Sequence, residues 1–328
     1  MRIRVLALLL MALVVVTMFP GLALGASQDF RVAVLTMRKM TTPADLNTLE
    51  GIERLREELG IEIKIVEAVE IAEYKEQVLA VSEEGYDVVY FIYDNFLEPV
   101  RELAPHYPHI KYIGLWIDLG DDHGIPNLKP LFFKPEQGAF MCGVVAALMS
   151  ETGKVGFIGG GINPGILTFL AGFEAGINYI DNGTELVVSW ANTFEDPLKG
   201  KELARSLYNR DVDIIFQVAN QTGLGVIDAA KEMGKFVIGV DVDQSPLAPE
   251  NVIASCLLDH GYATYDSVKQ AYEGQFNSKQ VYYGLEEGTP VIAINTALVP
   301  EEIQAQVADI EERIIRGEIA IPKTTETR

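Results

Sequence analysis

The run Lys154-Val155-Gly156-Phe157-Ile158 constrains this chain more than any other feature, because of what stands on either side of it. It is short, mostly apolar and bounded by glycines, as a strand buried on both faces of a parallel sheet must be. Ahead of it, Phe140, Met141, Val144, Val145, Leu148 and Met149 recur at the spacing of one helix face, and Thr152-Gly153 stops that helix. Behind it, Gly159-Gly160-Gly161 turns the chain into Asn163-Pro164, with Pro164 suited to the first turn of the next helix. Helix, strand, glycine turn and helix in succession belong to a parallel sheet covered by helices.

The same alternation runs through the rest of the chain. Strands are expected at Arg31–Met37, Ile61–Val66, Asp87–Tyr93 and Tyr112–Ile117, with a helix carrying Leu46, Leu49, Ile52, Leu55 and Leu59 inward after the first and helices from Ile71 to Val81 and Asn95 to Leu103 after the next two. Thr42-Pro43-Ala44-Asp45 has the capping pattern of a helix start, and Gly60 marks its end. After the central stretch come strands at Leu186–Trp190, Ile214–Val218 and Phe236–Val240, with helices at Leu198–Tyr208 and Gly223–Met233. Helices at Tyr262–Tyr272 and Pro300–Arg316 follow. One strand-helix unit takes about 25 to 35 residues, the size of a βαβ unit. An α/β fold with two doubly wound parallel sheets follows, and no low-complexity linker separates the sheets.

Lys and Arg total 26 against 47 Asp and Glu, a formal charge of -21. Such a surface excludes nucleic acid as a partner, since phosphate backbones are bound by basic faces. Residues 1–25 read as a signal peptide: Arg2 and Arg4 precede an apolar run from Val5 to Phe19, and Ala23-Leu24-Gly25 offers a small-residue cleavage site before Ala26. The apolar character reaches Ala26, so a retained membrane anchor is the alternative. Cys142 and Cys256 lie deep in the chain within apolar elements, so no lipobox cysteine is present, and free buried thiols are expected.

From Glu136 to Gly176 the pattern E-x-G-x-F-x-x-G-x-x-A-A-x-M-x-x-T-G-K-V-G-F-I-G-G-x-x-x-P-x-I-x-x-F-x-x-G-F-x-A-G resembles the signature of the BMP (basic membrane protein) family. The likeness continues through Asp196-Pro197 with Gly200-Lys201, Phe216 to Val226, Ile238 to Gln244 and Val299 to Val307. The resemblance implies a type I periplasmic-binding-protein fold, two lobes joined by short crossovers near Lys134 and Cys256. Lobe I would comprise residues 26–134 plus 257–292 and lobe II residues 135–256 plus 293–328. It further implies an extracytoplasmic solute-binding component of an ABC importer. Such a component captures a small polar ligand, here a nucleoside, and delivers it at the membrane surface to a permease driven by an ATPase. No cofactor is implied. A receptor module of the same fold serving a membrane sensor is the first alternative, and a secreted nucleoside-cleaving enzyme the second.

Ligands of open parallel sheets gather at the carboxyl ends of the strands, which makes the residues there the candidates. Asp241 follows the run Phe236–Val240 and could accept from two hydroxyls; the resemblance associates this Asp of G-V-D with a ribose. A turn Asp is the plainer reading. Asp118 and Asp94 follow strands in the same way, and Asn220 lies in the strand-end loop Val218 to Thr222. Trp116 and Phe194 are aromatics that could stack on a base, although an aromatic at a strand end is often core. Three positions depart from the family pattern: Ala44-Asp45-Leu46 stands where members carry S-F-N, Asn220-Gln221 where they carry Gly-Gly, and Leu258 where they carry Lys. Asp45 thereby becomes a ligand candidate. Asp118, Asp121, Asp122 and His123 lack the order of a calcium loop, and no G-x-S-x-G elbow or Cys-His neighbourhood exists. The sequence presents neither a catalyst nor a metal site.

Overall fold

A computed structural model describes residues 30–67 and 70–324. The expected signal segment, residues 1–25, lies outside them. The first sheet holds β1 (Arg31–Thr36), β2 (Glu62–Glu67), β3 (Val88–Ile92), β4 (Lys111–Leu115) and β5 (Leu128–Phe133), all parallel, in the order β2-β1-β3-β4-β5. The second holds β6 (Lys154–Gly159), β7 (Glu185–Trp190), β8 (Ile214–Val218), β9 (Phe236–Asp241) and β10 (Val252–Leu257) in the matching order β7-β6-β8-β9-β10. Each sheet gains a late edge strand: β11 (Val281–Tyr283) parallel to β5, and β12 (Ile292–Ile294) antiparallel to β10. The two-lobed doubly wound fold expected from the sequence is thus present, with the same strand order in both halves.

Helices fill the crossovers: α1 (Pro43–Leu59), α2 (Tyr74–Glu83), α3 (Leu97–Leu103), α4 (Pro135–Met149), α5 (Pro164–Ile180), α6 (Pro197–Tyr208), α7 (Gln221–Met233), α8 (His260–Tyr272) and α9 (Glu301–Ile315). The start of α1 forms as its sequence requires. Thr42 accepts from the Asp45 amide, the Asp45 carboxylate accepts from the Thr42 amide, and Gly60 closes the helix in the left-handed conformation. Four strands escape the sequence reading. β11 and β12 have three residues each, Pro130 interrupts the apolar run of β5, and Ser255 divides that of β10.

The chain passes between the sheets three times: at Lys134, at residues 258–259 and at residues 284–291. The passages are fastened together. Lys134 Nζ reaches Glu286 and Glu287 at 3.0 Å, and the Leu285 amide donates to Gln137 Oε1 at 2.9 Å. The Leu257 amide bonds the Val291 carbonyl at 2.9 Å. Both cysteines are free and buried, and burial together with the adjoining Cys142 thiol pushes Cys256 well up, which keeps it a thiol.

Glycines let α4 and α5 touch backbone to backbone. A Cβ on Gly176 would stand 2.0 Å from the Phe140 carbonyl oxygen, and one on Gly143 2.2 Å from that of Phe173. The two helices therefore approach at these points more closely than side chains allow. Gly176→Ala should cost about 1 to 3 kcal/mol by overpacking, lowering Tm by roughly 2 to 10 °C. Gly165→Ala, near the start of the same helix, where the nearest atom is Asn163 Oδ1 at 3.4 Å, should leave Tm unchanged or slightly raised. Thermal melts of both variants check this. Equal losses would count against the backbone contact as the source of the cost.

Candidate ligand-binding cleft

The strand ends that meet between the lobes carry an unusual backbone. Tyr93 after β3, Trp116 after β4, Asn220 after β8 and Asp241 at the end of β9 all hold positive φ, at 75°, 66°, 51° and 70°. These are equivalent positions, the third and fourth strands of each lobe in sequence order. Non-glycine residues in this region are uncommon, and strain of this kind gathers where the chain must aim a group at a ligand.

Asp241 is aimed by a three-residue turn. The Val242 amide bonds the Val240 carbonyl at 2.9 Å around it, and its own carbonyl accepts from the Leu258 amide at 2.9 Å. Gln244 then folds back: its Oε1 accepts from the Val240 amide at 3.2 Å and from Gln217 Nε2 at 2.8 Å, while its amide donates to Ser255 Oγ at 3.0 Å. Protein surrounds the carboxylate of Asp241, although some of its surface stays accessible. Burial, then the nearby Asp45 carboxylate, push its pKa up to about 6, and Arg38 opposes them only in part.

Lobe I presents the facing group. Arg38, in the loop after β1, donates through Nη2 to both carboxylate oxygens of Asp45 at 3.3 Å and to the Tyr93 hydroxyl at 3.2 Å. Its guanidinium carbon lies 5.3 Å from the centroid of the Tyr93 ring. Asp45 is buried and also accepts from the Thr41 and Thr42 amides at 3.2 and 3.0 Å. Burial raises the Tyr93 pKa, so its hydroxyl stays a neutral phenol. Trp116 is walled by Phe132, Phe133 and His260, with ring centroids 5.3, 5.2 and 5.7 Å away. Its indole nitrogen donates to His260 Nε2 at 2.9 Å, which puts the proton of the neutral imidazole on Nδ1. Burial pulls the His260 pKa down to about 4.

Polar atoms remain over in this group. Among the described residues, four buried side-chain nitrogens or oxygens have no hydrogen-bond partner: Arg38 Nε, Asn220 Oδ1, His260 Nδ1 and Thr289 Oγ1. Arg38 and Asn220 belong to strand-end loops of opposite lobes, so each lobe leaves a buried polar atom unsatisfied near its strand ends.

The other expected site residues have surroundings of their own. Asp118 is exposed and accepts from the Tyr282 hydroxyl of β11 at 2.6 Å. Asp94 is exposed at the start of the short helical segment Asp94–Phe96. The Phe194 ring lies against the backbone at Gly160, where an added Cβ would meet it at 2.3 Å, and Trp190 covers Gly159 in the same manner. That contact accounts for the glycine run. Asn220 begins α7 without capping it through its side chain. Arg38 was not singled out from the sequence; its signal was a cation beside Lys39 in the first strand-helix loop, seven residues before a buried Asp. Open concavities of about 500 and 380 Å³ lie away from this group, lined by Lys75, Glu98 and Glu102 and by Asp121, His123 and Ser278. Among the described residues no cluster of metal-ligating side chains occurs, and no helix is long and apolar enough to cross a membrane.

Comparison with known proteins gives this arrangement a family. Residues 44–325 match the family model described as ABC transporter substrate-binding protein PnrA-like. Basic membrane protein A of Borreliella burgdorferi is 31% identical over 288 residues, covering 86% of this chain and 84% of that protein. Basic membrane protein B of Borrelia garinii subsp. bavariensis is 37% identical over 245 residues, 73% of this chain and 70% of that protein. A solute-binding protein of an ABC transporter system from Aeropyrum pernix superimposes with a TM-score of 0.77 at 24% identity, over 91% of this chain and 94% of that one. A transcriptional activator of the comK gene from Bacillus halodurans shares the fold equally, with a TM-score of 0.77 at 23% identity, over 89% of this chain and 99% of that one. Matched along most of its length, the chain belongs to the BMP family of PnrA-like ABC transporter substrate-binding proteins.

Proposed function

We propose that this protein is the extracytoplasmic solute-binding component of an ABC importer, and that it captures a nucleoside between its lobes for delivery to a membrane permease and its ATPase. The observation that carries the reading is the placement of Asp241. A strained turn at the end of β9 holds a carboxylate among groups of the other lobe, and no side chain of the described residues donates a hydrogen bond to it. A vicinal diol is a neutral ligand group that offers two donors to one carboxylate. Asn220, on the neighbouring strand end, adds an unpartnered amide oxygen. The expected export of the chain with removal of residues 1–25 is part of this proposal.

Replacing Asp241 with Ala should leave the protein folded and weaken ribonucleoside binding by about 30- to 1000-fold, the loss of two hydrogen bonds to a charged acceptor less compensation by water. Calorimetry with a ribonucleoside and its 2′-deoxy analogue isolates the claim. The wild type should prefer the ribonucleoside, and Asp241→Ala should lose most of that preference. Equal wild-type affinity for the two would remove the diol from the account.

The raised pKa gives a second test with a definite sign. Asp241 offers a charged acceptor at both oxygens only when ionised, so affinity should be full above about pH 6 and decline below it. Without ligand the folded state holds this proton more tightly than the unfolded chain does. Its contribution to stability is therefore complete at low pH and is lost as pH rises through about 6. Asp241→Asn should accordingly melt higher than wild type at pH 8, with the difference vanishing toward pH 4, and its residual binding should not vary with pH. A variant less stable than wild type at pH 8 would contradict the burial of a charge there.

A further inference from the structure

The unpartnered polar atoms of the cleft differ in kind between the lobes, and the difference orients the ligand. From lobe II come acceptors, the Asp241 carboxylate and Asn220 Oδ1; from the β1 loop of lobe I comes a donor, Arg38 Nε. We propose that Arg38 reads a carbonyl or ring-nitrogen acceptor on the base, so that the nucleoside lies across the cleft with its base edge on lobe I and its sugar on lobe II. This inference rests on the nucleoside reading above.

The geometry of Arg38 supports the role. Its Nη2 is committed to Asp45 and to the Tyr93 hydroxyl, which together fix the plane and direction of the guanidinium. A guanidinium carries five donors and no acceptor, and the Nε donor is buried without a partner. Leaving such a donor unmade is costly, so its presence argues for an acceptor that arrives with the ligand. The charge of Arg38 is already balanced by Asp45. With Asp241 ionised, the group Arg38, Asp45 and Asp241 therefore carries one negative charge in excess. What Arg38 offers is a directed donor rather than free positive charge. A neutral acceptor fits it, whereas a phosphate would meet net repulsion. The site thus selects nucleosides over their phosphorylated forms.

The test compares wild type with Arg38→Lys, which keeps a cation opposite Asp45 and removes the Nε donor. Each protein is titrated with inosine, inosine 5′-monophosphate and a phenyl C-riboside, whose flat ring has no acceptor, and its Tm is recorded. The expected result is a loss of about 10- to 100-fold for inosine in Arg38→Lys, at the strength of a hydrogen bond to a charged group. The phenyl C-riboside should lose little, Tm should stay close to wild type, and the monophosphate should bind wild type much more weakly than inosine does. Unchanged inosine affinity in Arg38→Lys would overturn the role of Arg38 and leave the nucleoside reading standing. Equal losses for inosine and the phenyl C-riboside would make Arg38 a support of the cleft only, and so would also overturn it. Monophosphate binding as tight as that of inosine would overturn the charge argument. Wild type that binds neither inosine nor the phenyl C-riboside would overturn the nucleoside reading, and this inference with it.

Discussion

Asp45 and Asp241 come from different lobes and are near enough to raise the pKa of Asp241, so their like charges oppose the approach of the lobes. One guanidinium, that of Arg38, offsets part of this. Much of the local structure serves to hold the three groups. The capping box at the start of α1 fixes Asp45, the Tyr93 hydroxyl and ring fix Arg38, and the Gln217-Gln244-Ser255 chain of hydrogen bonds fixes the turn that carries Asp241. Each device spends a local preference: a positive φ at Tyr93 and Asp241, and buried polar side chains behind them. On the proposed reading the ligand completes the group, because hydroxyls delivered to Asp241 replace the water that the carboxylate loses on burial.

The family string and the cleft occupy different parts of the molecule. Glu136 to Gly176 is the most recognisable stretch, yet its glycines Gly143, Gly172 and Gly176 serve the contact between α4 and α5. Gly159 and Gly160 leave room for Trp190 and Phe194. The recognisable stretch therefore reports largely on helix packing and strand-end turns. The candidate site residues lie largely in loops instead, and Asp45 caps a helix there and holds Arg38. A regulator of transcription among the structures that share the fold fits the same division between scaffold and site.

The fold was legible because its signals are local. Apolar runs of five or six residues, Thr42 and Asp45 at a helix start, Gly60 at its end and Pro164 at N1 each act within a few residues of themselves. The edge strands β11 and β12 were not, since three residues carry no period and their pairing partners lie far along the chain. Among the candidate site residues, Asp241 stands out in the sequence by its place after an apolar strand. Arg38 could not be singled out, because its importance depends on Asp45 and Tyr93, and no spacing rule joins position 38 to position 93. Asp118 looks equivalent to Asp241 in the sequence, and only the pairing of β11 with β5 reveals the Tyr282 hydroxyl that donates to it.

The most direct test of the central claim asks the protein what it carries. Native mass spectrometry of the chain purified without added ligand, followed by denaturing release and identification of the small molecule, needs no assumption about the site. The account expects a neutral ribonucleoside, released with loss of its mass from the folded species and absent from Asp241→Ala. A phosphorylated metabolite, an amino acid or a peptide in its place, retained equally by Asp241→Ala, would contradict it.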